Sequence, residues 1–168
     1  MILNNIDRLA ELREQHKDKR IVLVTGGFDI THAGHVLFFE DAKKNGDILM
    51  VGMAPDDVRR REKGSDRPIL NQFIRLKMVS SLKPVDYAFL IPDAGTLNLP
   101  DHLIPVFSAL KPAVYITNND ARNADDVRNI FRKLGLDTEI KILKRWCPKE
   151  FENISTTKII EKIKKLKD

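Results

Sequence analysis

The chain has 168 residues, one domain's worth, because single hydrophobic cores stop growing near roughly 250–300 residues. Hydrophobic residues make up 42% and charged residues 32%, which excludes both a disordered chain and a bundle of membrane spans. The 29 Lys+Arg against 24 Asp+Glu give a net charge of +5, which fits an anionic partner without telling nucleic acid from a phosphorylated small molecule.

The elements follow in chain order. Ile6, Leu9, Ala10 and Arg13 recur at helical spacing with Leu12 alongside, so residues 2–16 are predicted as an amphipathic helix. Residues 20–25 form a short β-branched run, read as a buried strand. Gly26 and Gly27 break it, and a helix is expected from 34 to 45, with Gly46 as its left-handed stop. Residues 47–53 read as a strand, 54–68 as a charged loop, and 71–82 as a helix with Phe73, Ile74, Met78 and Leu82 on its apolar face. A strand is expected at 86–91. The helix around Leu103, Val106, Phe107 and Leu110 is started or distorted by Pro105. A strand at 113–116, a helix at 124–134 ended by Gly135 and a strand at 139–143 complete the alternation. The last helix, 156–166, carries Ile159, Ile160, Ile163 and Leu166 as its stripe.

Strand and helix alternate five times, with no repeat or linker, so residues 1–168 read as one domain. The pattern calls for an α/β, Rossmann-like three-layer αβα sandwich around a five-stranded parallel sheet. Ligands in such sheets bind beyond the carboxyl ends of the strands. Residues 1–5 lack a basic and apolar leader pattern, so no secretory signal is expected. The one cysteine, Cys147, excludes an internal disulfide and a cysteine-based zinc site. A reducing cytoplasm is the expected compartment, and no membrane partner is expected.

The segment Gly26-Gly27-Phe28-Asp29-Ile30-Thr31-His32-Ala33-Gly34-His35 follows the first predicted strand. Its glycines allow close backbone approach, and the helix start behind it offers free N–H groups and a positive dipole end to an anion. His32 and His35, three apart, can face one side. Two imidazoles with helix amides suit a phosphoryl transition state, whose charge grows on oxygens. Taken alone, the pair reads as one helix cap and one surface histidine. As a metal site it lacks an obvious third ligand besides Asp29, and none is assigned.

This segment resembles the G-x-F-D-x-x-H-x-G-H signature of the cytidylyltransferase-like nucleotidyltransferases. Ile154-Ser155-Thr156-Thr157-Lys158-Ile159 resembles their second signature, I-S-[ST]-T-x-I. Further segments are similar to the adenylyltransferase domain of ADP-heptose synthases: Arg8–Arg13, Asp41–Asp47, Lys63-Gly64-Ser65-Asp66-Arg67-Pro68, Val85-Asp86, and the run from Ser155 to Ile163. The resemblance covers nearly the whole chain. It implies transfer of a nucleotidyl group from a nucleoside triphosphate to a phosphorylated sugar or polyol, with Mg²⁺, releasing pyrophosphate. Relatives are often dimers, so a homodimer is possible on this ground.

By the same resemblance, His32 and His35 contact the triphosphate and stabilise the transition state. Gly26, Gly27, Phe28, Asp29 and Gly34 form the loop along the nucleotide, with Asp29 equally suited to fixing that loop. Lys63 and Arg67, from a stretch with five basic residues in nine, are expected at the incoming phosphate or the triphosphate. Arg59, Arg60 and Arg61 are expected to be exposed. Arg75 matches a family arginine aimed at phosphates. Ser155, Thr156 and Thr157 open the last helix, where a cap and a phosphate site can coexist. Thr117-Asn118-Asn119-Asp120 replaces the family's K-G-G-D. Asp120 is kept, Asn119 can take a left-handed turn, and Arg122 supplies a nearby cation.

Trp146 reads as a core residue, Cys147 as lacking a partner, and His16 and His102 as surface residues without a role. The leading expectation is AMP transfer from ATP to a heptose 1-phosphate-like sugar phosphate. Its rival is CTP with glycerol 3-phosphate or a phosphoryl amino alcohol, the base being chosen near residues 118–120 and 144–146. A non-catalytic nucleotide-binding module is a further alternative. A nucleic-acid partner is not expected, since no recognition helix or aromatic stacking set accompanies the arginines.

Overall fold

A computed structural model describes residues 1–3, 5–93, 95, 99–118, 124–143, 148–151 and 154–166. Six strands form one parallel sheet: β1 (Ile2–Leu3), β2 (Ile21–Gly26), β3 (Ile48–Met53), β4 (Tyr87–Leu90), β5 (Val114–Asn118) and β6 (Glu139–Leu143). Their order across the sheet is β1-β4-β3-β2-β5-β6. The helices are α1 (Asp7–Gln15), α2 (Ala33–Lys43), α3 (Asp56–Lys63), α4 (Gln72–Ser80), α5 (Ile104–Leu110), α6 (Ala124–Lys133) and α7 (Thr156–Lys164), with short 3₁₀ turns at Leu99–Leu103 and Lys149–Phe151.

The sheet separates two cores, and the pleat of β2 shows how. Ile21 and Leu23 face α1, α5 and α6 through Leu9, Leu12, Val106, Phe107, Leu110, Ile130 and Phe131. Val22 and Val24 face α2 and α4 through Phe39, Ala42, Leu76 and Val79. Both faces of β2 and β3 are therefore apolar, as a central parallel strand requires. From β2 the chain builds outward to β3 and β4 on one side and to β5 and β6 on the other. The crevice between the carboxyl ends of β2 and β5 is thus the topological switch point, where an open α/β sheet binds its ligand.

Four expectations need correction. The sheet has six strands rather than five, because residues 2–16 are not one helix. Ile2 and Leu3 pair with Ala88 and Phe89 of β4 before α1 begins. Two residues carry too little periodicity to announce a strand. The expected loop at 54–68 contains α3, whose charged surface holds one buried apolar residue, Val58.

The face of α4 is reversed: Arg75, Leu76 and Val79 are buried, whereas Phe73 is 68% exposed and Ile74 and Met78 also face out. This helix is apolar on both sides, and a buried arginine marks the inner one. Finally, the positive-φ glycines are Gly64, Gly95 and Gly135, so Gly46 is not a left-handed stop. It is a point of close approach, since a Cβ there would lie 2.5 Å from the Arg20 carbonyl oxygen and 2.7 Å from Val22 Cγ2.

Candidate functional site

β2 ends at Gly26, and the chain turns sharply. Phe28 and Ile30 both have positive φ, 47° and 45°, a conformation unfavourable for any L-residue and most unfavourable for a β-branched one. The Phe28 ring folds back over Gly26, where a Cβ would lie 2.8 Å from Phe28 Cζ. From there it packs edge-on against His35, with ring centroids 5.5 Å apart, and against Phe39. Two buried groups hold this strained turn.

The first is Asp29, 3% exposed. Its carboxylate accepts four N–H bonds, from Ile30 N at 3.1 Å, Arg67 Nε at 3.2 Å, Ile69 N at 2.9 Å and Leu70 N at 3.0 Å. It staples the turn to residues 67–70. The second is Arg75, fully buried. Its Nε donates to the Leu70 carbonyl, Nη1 to the Gly27 carbonyl, and Nη2 to the Ala54 carbonyl and Asp56 Oδ1. Arg75 therefore does not point at a phosphate, as expected of it. It ties together the loops after β2 and β3 and the loop before α4.

His32 is the N-cap of α2, with extended φ and ψ. Its N–H donates to His35 Nδ1 at 3.4 Å, and the two rings stack at 3.9 Å with an interplanar angle of 24°. An accepting Nδ1 leaves the neutral His35 ring with its proton on Nε2. Gly34 makes room for the pair: a Cβ there would lie 3.1 Å from the His32 ring and 3.4 Å from the Ile154 carbonyl oxygen.

That contact brings the two signatures together. Thr156 Oγ1 donates to the Asp29 carbonyl at 2.8 Å. Ser155 caps α7 by accepting from Lys158 N. The N-termini of α2 and α7 thus meet at one turn, across 127 residues of sequence. Thr157 is exposed beside them. Underneath, Thr25 and Tyr115 join β2 to β5 by a hydroxyl–hydroxyl bond of 2.8 Å. Burial pushes the Tyr115 phenol above its usual range.

Of the expected phosphate ligands, Arg67 is 20% exposed and held to Asp29 through Nε. Lys63 is exposed at the end of α3. Asn119 and Asp120 lie outside the described residues, as do Arg122, Trp146 and Cys147.

Arg59, expected on the surface, is instead packed on Gly27 and paired with Glu62. The i,i+3 spacing of the pair was its one sequence signal. His102, also expected outside, is 3% exposed and lies 3.8 Å from Asp93. The Arg61 guanidinium, then the Gly95 N–H, hold the Asp93 carboxyl below the usual carboxylate range. Among the described residues no three His, Cys, Asp or Glu side chains are placed to hold a metal ion. The Asp29 carboxylate already faces four donors, so this turn offers no protein-built Mg²⁺ cage. A shallow cavity of about 260 Å³ between α6 and β6, lined by Arg128, Phe131, Arg132, Leu136, Thr138 and Ile140, lies toward the opposite ends of the strands. No helix among the described residues is long and apolar enough to cross a membrane.

The profile of the cytidylyltransferase-like family matches residues 23–162. The bifunctional protein HldE of Helicobacter pylori strain HPAG1 is 35% identical over 161 residues, covering 95% of this chain and 31% of the relative. HldE of Campylobacter jejuni strain RM1221 is 34% identical over 164 residues, covering 96% and 31%. The chain thus spans about a third of the length of these curated relatives. Among solved structures, the lipopolysaccharide core biosynthesis protein of Thermoplasma volcanium GSS1 superposes with a TM-score of 0.65 at 29% identity, over 77% of this chain and 99% of that one. Pantoate–β-alanine ligase of Francisella tularensis shares the fold, with a TM-score of 0.68 at 16% identity, over 95% of this chain and 75% of that one. With its paired histidines and its second signature docked on the first, the chain belongs to the cytidylyltransferase-like family and is a nucleotidyltransferase.

Proposed function

We propose that this domain transfers AMP from ATP to the phosphate of a sugar phosphate resembling heptose 1-phosphate, and releases pyrophosphate. The observation that carries the reading is the joint placement of the His32–His35 stack and the N-termini of α2 and α7 at one end of the sheet. Similarity to HldE over 95% of the chain supports the choice of acceptor.

An oxygen of the acceptor phosphate attacks the α-phosphorus of ATP. The new P–O bond forms as the bond to the β-phosphate oxygen breaks, and the electron pair leaves with pyrophosphate. The nucleophile is already anionic, so no side chain need remove a proton and no covalent enzyme intermediate forms. The protein's work is positioning and charge neutralisation. His35 presents Nε2–H, and His32 stacks on it at the helix start, where backbone N–H groups add their partial charge. Gly26, Gly27, Phe28 and Gly34 keep the turn close to the nucleotide. Ser155, Thr156 and Thr157 bring the α7 amides to the phosphates. Lys63 and Arg67 receive the acceptor, and the resemblance to the family assigns Asn119 and Asp120 to nucleotide binding. Asp29 and Arg75 act on the shape of the turn. Mg²⁺ would have to come with the triphosphate and would neutralise charge there, because no three described His, Cys, Asp or Glu side chains are placed to hold it.

A screen of ATP and CTP against a panel of sugar, polyol and amino-alcohol phosphates, read as pyrophosphate release, tests this. ATP with a sugar 1-phosphate should give the highest kcat/KM. His32→Ala should lower it by roughly 10²–10³-fold, the loss typical of one transition-state donor. Preference for CTP and glycerol 3-phosphate would replace the assignment with the cytidylyl one. Tight ATP binding with no pyrophosphate from any pair would make the domain a binding module.

A further inference from the structure

Arg59 crosses from α3 back over the carboxyl end of β2. A Cβ built on Gly27 would lie 2.4 Å from its Nε, 2.7 Å from Cζ and 2.9 Å from Cδ, so the guanidinium rests on the Gly27 backbone. The side chain is 16% exposed and that of Glu62 is 18% exposed. Glu62 binds Nη1, while Nε–H is buried with no acceptor among the described residues. Removing a cation from water is costly unless its donors are filled. Arg75, the fully buried arginine of this site, fills Nε, Nη1 and Nη2 with protein oxygens. Arg59 fills one. Since Glu62 takes Nη1, the edge formed by Nε and Nη2 remains, and that edge binds an oxyanion side-on through two parallel bonds.

We propose that Arg59 is a phosphate-binding residue of this site and that Glu62 is its internal counter-ion, keeping Nη1 while the Nε–Nη2 edge takes a substrate phosphate arriving over Gly27. The outer torsions of Arg59 let the guanidinium swing off Gly27 without moving the backbone. Glu62 then sets the affinity, because its negative charge already offsets the guanidinium that each phosphate must share. The proposal rests on the nucleotidyl-transfer reading. The phosphate comes either from the triphosphate or from the acceptor, and kinetics separates the two.

Inorganic pyrophosphate titrated calorimetrically into the whole chain is the direct test, with thermal melting to confirm that each variant folds. Arg59→Met should weaken pyrophosphate binding about 10-fold or more, and Arg59→Lys should restore part of it. Glu62→Gln should strengthen binding by about 3–10-fold, and that gain should vanish when Arg59→Met is also present. A gain that persists without Arg59 would be a general charge effect and would overturn the proposal. So would pyrophosphate affinity unchanged in both single variants.

In steady state, Arg59→Met should raise the KM of one substrate while kcat changes little. A raised KM for ATP assigns the triphosphate, and a raised KM for the acceptor assigns the acceptor phosphate. Both KM values unchanged count against the proposal. If Arg59→Met does not fold, Glu62→Gln compared in wild-type and Arg59→Lys backgrounds decides it, because the gain must shrink with lysine. If the wild-type chain binds neither pyrophosphate nor nucleotide, the nucleotidyl-transfer reading itself fails. If wild type binds both and the variants match it, only the assignment of Arg59 fails.

Discussion

A buried carboxylate facing four N–H donors has no use for a donor of its own. Asp29→Asn replaces one carboxylate oxygen by an amide NH₂, which then faces either the Ile30 and Leu70 N–H groups or those of Arg67 and Ile69, and leaves Arg67 without its counter-ion. The expected loss is about 2–4 kcal/mol of stability, read as a lower urea midpoint at unchanged slope. Activity should fall further than stability explains, because the strained Phe28–Ile30 turn shapes the site. Tyr115 makes a prediction in pH. Its phenol titrates above the usual range in the folded chain because it is buried, so the folded state favours the neutral form. That contribution is whole below the unfolded tyrosine pKa of about 10 and is lost as pH rises through the higher folded value. Tyr115→Phe should therefore be less stable than wild type at neutral pH, by about 1 kcal/mol for the lost Thr25 bond. The gap should narrow above about pH 10, measured as urea midpoints at several pH values.

At the scale of elements, two adjoining segments meet through a glycine whose purpose only the packing reveals. Gly46 lies against Arg20, the residue that leads into β2. Gly46→Ala should cost about 1–3 kcal/mol by overpacking, and Gly46→Asn at least as much. At a left-handed stop, asparagine would be well tolerated. Chemical denaturation of the two variants distinguishes the cases. The same contrast explains what could be read in the sequence. The runs at 20–25 and 47–53 are largely apolar or β-branched and that at 139–143 alternates charged with apolar residues, so β2, β3 and β6 were legible from local chemistry. The two signatures were legible because they state a chemistry in adjacent residues. The inner face of α4 was not, since Phe73, Ile74 and Met78 are as apolar as Leu76 and Val79, and only the acceptors around Arg75 decide between them. Arg59 was misread for the same reason: a basic run looks solvated until Gly27 is found beneath it.

For the molecule as a whole, the sheet is firmly built and its last helix is not. β2 and β3 are buried on both faces. α7 holds no buried residue; Ile163 on its stripe is 50% exposed and Leu166, beyond its end, is 79% exposed. Its described hydrogen bond to the rest of the domain is the one from Thr156 to Asp29. Elements with few buried apolar contacts open with lower free energy than the core. Hydrogen exchange should therefore find α7 amides among the fastest of the helices, and β2 and β3 amides among the slowest. Net charge belongs to this scale too: residues 158–168 carry five lysines against two acidic residues, so most of the +5 lies in this one stretch of sequence. If α7 closes the phosphate site, ATP must slow exchange in residues 155–160 and leave α6 unchanged, because ligand binding stabilises only the states that contact it. Thr156→Val should speed α7 exchange without nucleotide and weaken the slowing by ATP. Protection by ATP that spares residues 155–160 would remove the second signature from the nucleotide site, whatever its resemblance to the family.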